Sequence, residues 1–274
     1  MTLRAKHPTT FVGTAKSVYL APYGPFEERV IKHARVVFVR DEPTAARLRA
    51  HDIDAHAANV IVDLQCDEQS APEFPAYQPL LALFPGSRAN AYADAVFLTR
   101  VAVALARTSP RLGAALSLAP GLEVHHFAQA LADAGLRVTG RNEAAQPFSV
   151  FDGEREIVRA YRGPIGAMIA HATLALGQAG TANEAAASAG IPVVAFELGE
   201  KKRAWYRMRQ AALLGDALLV APGRLDVAVH EVDSVLRDAT RYEHMSKTGR
   251  ERMGSRGAAR AIAFSVAELV KETT

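Results

Sequence analysis

Two short stretches of this chain carry residue types that could do chemistry together. One is Pro85-Gly86-Ser87-Arg88; the other is Gly177-Gln178-Ala179-Gly180-Thr181-Ala182-Asn183-Glu184. Each follows an apolar run and precedes a helical pattern, so each reads as a turn that ends a strand and opens a helix. A helix start presents main-chain N–H groups with no intrahelical acceptor, and those groups receive anions. Gly180 and Thr181 stand at such a start, and the guanidinium of Arg88 adds a planar fork that matches phosphate oxygens. Glu184, one turn into its helix, can accept two hydrogen bonds from a vicinal diol such as a ribose offers. Taken singly, each stretch also fits a blander description. The first could be a plain turn beside a solvated arginine, the second a helix whose glutamate meets the positive end of the dipole.

What has to hold these turns is a recurring pair, a short apolar run and then a helical pattern. VVFVR (36–40) leads into PTAARLRAH, LLALF (80–84) into YADAVFLTRVAVALART, and GAALSLA (113–119) into EVHHFAQALADAG. LRVTG (136–140) follows, then an excursion FSVFDGEREIVRAY (148–161), a small helix PIGAMIAHA, and the strands TLALG and PVVAF. Alternation of this kind predicts an α/β fold, a doubly wound parallel sheet with helices on both faces. Three further helices are expected at about 225–238, 240–252 and 255–272. In such a sheet both chemical turns open on the carboxyl edge, where ligands of these folds bind.

The 65–79 stretch, QCDEQSAPEFPAYQP, has three prolines and no clear period, and it reads as a linker. It divides the chain into residues 1–64, with one evident strand-helix pair, and residues 80–274. A net charge of +3 on 274 residues is far from the clustered basicity of a dedicated nucleic-acid binder. The one cysteine, Cys66, excludes an intramolecular disulfide framework and fits a reducing compartment. Neither a signal-peptide run nor a spanning segment is visible, so the expected location is the cytoplasm, including the inner face of its membrane.

Other patterns are set aside. Gly13-Thr14-Ala15-Lys16-Ser17 lacks the spacing of a phosphate-binding P-loop. His51, His56, His125 and His126 do not form a zinc-ligand pattern, and no nucleophile elbow is present.

The pairing of PGSR after a buried strand with AGTANE before a Pro-Val-Val strand resembles the donor-binding half of the lipid-A-disaccharide synthase family. FVGTAKSVYLAPYG, HARVVFVRDEPTAARLRAHDI and AANVIVD further resemble the lipid-A-disaccharide synthase-related proteins, so that nearly the whole chain is covered. The resemblance implies a GT-B glycosyltransferase, with two Rossmann-like domains and a UDP-sugar held in the second without a metal or other cofactor. It gives Gly86, Ser87 and Arg88 to the diphosphate, and Gly180, Thr181 and Glu184 to diphosphate and ribose, with Gln178 in the same nucleotide-binding set. It also implies that residues 1–64 are the end of an acceptor-side domain most of which the chain lacks, and it assigns no catalytic base. Ala58 and Val60 replace the Gly and Pro of the family's hinge turn, which puts the hinge carried by Asn59 and Asp63 in question.

Lys201, Lys202, Arg203 and Arg207 lie where the family has a basic segment near the donor site. They fit phosphate, an anionic membrane surface or lipid acceptor, or simply a solvated helix face with Trp205, Met208 and Ala212 turned inward. Besides transfer to an acceptor, two functions stay open. One is a UDP-sugar 2-epimerase. The other is a non-catalytic or split-subunit nucleotide-sugar-binding module, with a second copy or a partner chain covering the side where the first domain is short. Nucleic acid is not an expected partner.

Overall fold

The computed structural model describes residues 8–65, 74, 77–199 and 201–273. Cys66 and most of the 65–79 stretch lie outside them, as do the side chains of Lys201 and Lys202. The chain begins with β1 (Thr10–Gly13), α1 (Pro25–Ile31), β2 (Val36–Val39), α2 (Glu42–Arg49) and β3 (Ala55–Ala57). There follow β4 (Leu80–Phe84), α3 (Ala91–Thr108), β5 (Gly113–Ser117), α4 (Val124–Asp133), β6 (Arg137–Gly140), β7 (Phe148–Asp152) and β8 (Arg155–Tyr161). After these come α5 (Ile165–Ile169), β9 (Leu174–Gly177), α6 (Thr181–Ser188), β10 (Val193–Glu197), α7 (Lys201–Leu214) and β11 (Leu218–Pro222). Three helices close the chain, α8 (Leu225–Arg237), α9 (Ala239–Met253) and α10 (Ala258–Thr273).

Two compact units result, residues 1–63 with 250–274, and residues 64–249. In the first, β1, β2 and β3 form a parallel three-stranded sheet with β2 in the middle. Val37 and Val39 of β2 bury against Ala45 and Leu48 of α2, with Tyr23, Ile31 and Ile53 around them. Asp41 starts α2 as its cap, accepting from the Thr44 N–H at 2.9 Å and from its hydroxyl at 2.6 Å. The single strand-helix pair expected here is therefore joined by two more strands and a helix, which are short and carry little periodicity of their own.

The hinge residues have a definite structural role in this unit. Asn59 donates to the Met253 carbonyl at 3.0 Å. The Asp63 carboxylate accepts from the N–H of Gly257 at 2.6 Å and of Ala259 at 2.7 Å, where α10 begins. Together with Ala258 and Ile262 packed near Phe38 and Ala58, these bonds make α10 part of the first unit. The sequence pattern alone assigns this helix to the domain of residues 80–274. Short polar tethers that join residues nearly two hundred positions apart leave no periodic trace.

The second unit is an eight-stranded sheet in the order β11-β10-β9-β4-β5-β8-β7-β6. From β11 to β8 neighbouring strands are parallel, whereas β7 and β6 are antiparallel additions at one edge. The excursion at 148–161 is thus a hairpin, with β8 entering the parallel sheet beside β5 and β7 folding back on it. Central β4, Leu-Leu-Ala-Leu-Phe, is buried along its whole length, as a strand covered on both faces must be. Leu98, Val101, Ala102 and Leu105 of α3 and Phe127 and Leu131 of α4 supply one covering layer. Among the described residues no helix is long and apolar enough to cross a membrane.

Candidate functional site

Strands β4 and β9 are hydrogen-bonded parallel neighbours, with Phe84 paired to Gly177 at their ends. After β4 the chain moves to β5 on one side of the sheet, and β9 lies on the other, so a topological switch point falls between β4 and β9. Both chemical turns leave from this point. The Gln178 N–H donates to the Phe84 carbonyl at 2.8 Å, extending the pairing one residue into the turn. Gly86 has φ +96°, and a Cβ placed on it would lie 3.7 Å from the Ala179 Cα. A side chain there would be strained in the left-handed region, and the two turns lie close enough that its Cβ would meet the Ala179 backbone.

Pro85 is buried, Gly86 half-buried, and Ser87 and Arg88 exposed. In the other turn Gly180 and Thr181 are exposed while Gln178 and Glu184 are half-buried. Helix α6 starts at Thr181 after Gly180, with no side chain capping it. Among the described residues the N–H groups of Ala179, Gly180 and Thr181 find no acceptor. The side chain of Gln178 is engaged inward, donating to the Phe196 carbonyl at 3.0 Å and accepting from Arg207, and its main-chain N–H and C=O are taken by Phe84 and Arg207, so this residue holds the turn and offers no open group at the rim.

Helix α7 excludes one of the readings open to it, the solvated basic face with Trp205, Met208 and Ala212 turned inward. Trp205, Met208 and Ala212 are exposed, whereas Arg207 and Gln210 are 8% and 9% exposed. The inward stripe is polar because it lies over main-chain carbonyls of the β9 turn, which need donors more than they need apolar cover. Arg207 donates to the Gly177 carbonyl at 3.4 Å and to Gln210 Oε1 at 2.9 Å. Gln210 donates in turn to the carbonyls of Ala179 and Gly180, each at 3.1 Å. Asn183, fully buried in the first turn of α6, donates to the Gly177 carbonyl at 3.2 Å and to Gln210 Oε1 at 3.0 Å. Burial, and then the neighbouring charge of Arg203, push the Arg207 pKa down to about 10.

Arg203 holds the carboxylate of Asp94, in the first turn of α3, at 2.8 and 2.7 Å. Arg203 and Arg207 line a cavity of about 270 Å³ together with Phe196, Leu198, Gly199 and Ala204. At its side the guanidinium of Arg88 lies 5.1 Å from the centre of the exposed Tyr206 ring. The result is a rim with three open N–H groups, a helix N-terminus, an exposed arginine and a glutamate, beside a cavity bordered by two more guanidinium groups. Glu197 also lines the cavity and Asp94 pairs with Arg203, so what favours an anion here is the set of open N–H groups at the helix start together with Arg88. Sequence reasoning named both turns but missed Asn183, Gln210 and Asp94, because a buried polar residue on a helix gives the same local pattern as an exposed one.

The remaining patterns have structural roles. Although β1 does feed the Gly13 to Ser17 turn, Lys16 is held by the Glu27 carboxylate at 2.5 Å. His125 and His126 lie at 4.0 Å between ring centres with their planes tilted by 54°, on the exposed start of α4, and His126 meets Tyr92 edge-on.

No protein-family model matches the chain, and no curated protein sequence does. Among solved structures, a protein from Listeria monocytogenes assigned as a UDP-N-acetylglucosamine 2-epimerase superposes with a TM-score of 0.61 at 14% identity, over 97% of this chain and 69% of that one. The UDP-GlcNAc 2-epimerase from Neisseria meningitidis, solved with UDP-GlcNAc bound, gives 0.55 at 13%, over 95% and 70%. CalG4, the calicheamicin glycosyltransferase, gives 0.56 at 15%, over 96% and 68%. At such identities the likeness shows the fold, and the fold of this chain is that of the GT-B proteins.

Proposed function

We propose that the rim between β4 and β9 binds the diphosphate and ribose of a UDP-sugar, and that the chain is a glycosyltransferase of the lipid-A-disaccharide synthase-related type. The observation that carries this reading is the meeting of the two turns, tied by the bond from Gln178 to Phe84 and separated at Gly86 and Ala179 by little more than the room a Cβ would fill. The N–H groups of Ala179, Gly180 and Thr181 and the guanidinium of Arg88 take the diphosphate, with Ser87 at its edge. Glu184 takes the ribose hydroxyls. In the transfer step an acceptor hydroxyl oxygen bonds to the anomeric carbon while the bond from that carbon to the diphosphate oxygen breaks, its electron pair leaving with UDP. The N–H groups, the positive end of α6 and Arg88 stabilise the charge that develops there, which is the role a metal plays elsewhere. The acceptor's proton passes to a base that is not among the residues assigned, and a lipid-linked acceptor fits the exposed Trp205, Tyr206 and Met208 of α7.

A second reading, a UDP-sugar 2-epimerase, is favoured by the two structural neighbours that bear that name. The same nucleotide site serves both. Calorimetric titration with UDP tests it: the expected result is binding by the wild type, weakened about tenfold or more in Glu184→Ala, as loss of a hydrogen-bonded charge predicts. Absence of binding by the wild type overturns the site. Incubation with UDP-GlcNAc then separates the readings, UDP release that needs an acceptor marking transfer and appearance of the 2-epimer marking isomerisation.

A further inference from the structure

We infer that Arg207 is a positioning residue, one that sets the direction of the main-chain N–H groups which receive the diphosphate; the inference rests on the nucleotide site proposed above. Three consecutive carbonyls of the β9 turn are held from the α7 side. The guanidinium of Arg207 reaches the Gln178 carbonyl at 3.5 Å, and Gln210, itself held by Arg207 at 2.9 Å, donates to those of Ala179 and Gly180. In a planar trans peptide the C=O of one residue and the N–H of the next point in opposite directions. Holding the carbonyls of Gln178, Ala179 and Gly180 toward α7 therefore aims the N–H groups of Ala179, Gly180 and Thr181 away from it. These are the three that find no acceptor among the described residues.

A turn of glycine and alanine has no side chain of its own to choose among backbone conformations, and Gly180 in particular costs little to rotate. The Gly180 carbonyl is also held by the Glu184 N–H at 3.2 Å as α6 begins, whereas the carbonyls of Gln178 and Ala179 are oriented from α7, by a planar fork with donors in fixed directions and the amide it holds. The cost of burying that charge is visible in the depressed pKa of Arg207, and it is offset by amide and carbonyl dipoles from Gln178, Gln210 and Gly177. Lysine in its place keeps a charge but offers a point donor on a flexible stem. It cannot hold Gln210, the Gln178 side chain and two carbonyls at once.

The test compares UDP with uridine, by calorimetry for the first and ligand-observed NMR for the second, on wild type and Arg207→Lys. Positioning predicts that R207K loses about tenfold in UDP affinity while uridine affinity is unchanged, with the charge retained. Equal UDP affinity in R207K and wild type overturns the inference, and so does a parallel loss for UDP and uridine, the mark of a merely structural role. If the wild type itself does not bind UDP, the nucleotide site falls and the inference with it, so the two failures are distinguishable. Should R207K not fold, Gln210→Met carries the same comparison: it is neutral and of similar length, and it removes the donors to Ala179 and Gly180.

Discussion

The side-chain oxygen of Asn183 lies 1.7 Å from where a Cβ on Gly177 would stand. The last residue of β9 is thus a glycine so that the first turn of α6 can fold back over the strand end. The same asparagine then donates to the carbonyl of that glycine. Strand, turn and helix are locked into one piece at the point where the candidate site opens.

Gly177→Ala is accordingly expected to destabilise the protein by about 2 kcal/mol or more, through overpacking rather than backbone strain. Asn183→Ala should relieve that clash while losing its own hydrogen bonds. The double variant will be more stable than the sum of the two single changes implies, by about 1 kcal/mol. Urea denaturation of the four proteins in a double-mutant cycle reads this directly, and strict additivity would show that the contact is not made.

The pair Arg203 and Asp94 is unequal in burial, with side chains 21% and 5% exposed. Removing the arginine leaves the more deeply buried charge behind, so Arg203→Ala should cost more than Asp94→Ala. The first is expected near 3 kcal/mol, on the order of a broken buried ion pair, and the second about 1 kcal/mol less. Thermal unfolding at neutral pH ranks them, and the reverse order would mean that Arg203 rather than Asp94 is the group the fold desolvates.

Glu156 predicts the acid behaviour of the second unit. Burial acts to raise its pKa, but the hydrogen bond and charge of Arg159, at 2.6 Å, outweigh it and hold the carboxyl below its ordinary value of 4.5. A carboxylate lowered in the folded state contributes stability that is present above the unfolded value and is lost as pH falls through the folded one. Wild-type stability should therefore decline as pH drops below about 4.5, and Glu156→Gln should flatten that decline while lowering stability at neutral pH. Chemical denaturation from pH 7 downward gives the comparison. A variant with the same slope as wild type would assign the acid sensitivity to other carboxylates.

Much of this architecture could be read from the chain because its strands and helices are strongly patterned. β4 is an unbroken apolar run, α3 and α4 carry their helical period for several turns, and the two small-residue turns sit where a strand pattern gives way to a helical one. Local signals of that kind depend only on neighbours in sequence. The short strands β1 and β3 and the attachment of α10 to the first unit were not legible, since each is decided by a partner distant in sequence.

Helix α7 is where the sequence left the inward face open. Its sequence offers aromatic and aliphatic residues for one face and basic ones for the other, and transfer free energies alone would bury the first. In the folded chain the helix crosses the carbonyls of residues 177 to 180, and hydrogen bonding to them turns Arg207 and Gln210 inward and Trp205 and Met208 out. The sequence by itself determined an alternating α/β chain and two anion-friendly turns at strand ends. Tertiary structure decided that the turns are neighbours, which way their N–H groups face, and which side of α7 is inside. Strand order and the fate of buried carbonyls are properties of the assembled sheet, and no local pattern encodes them.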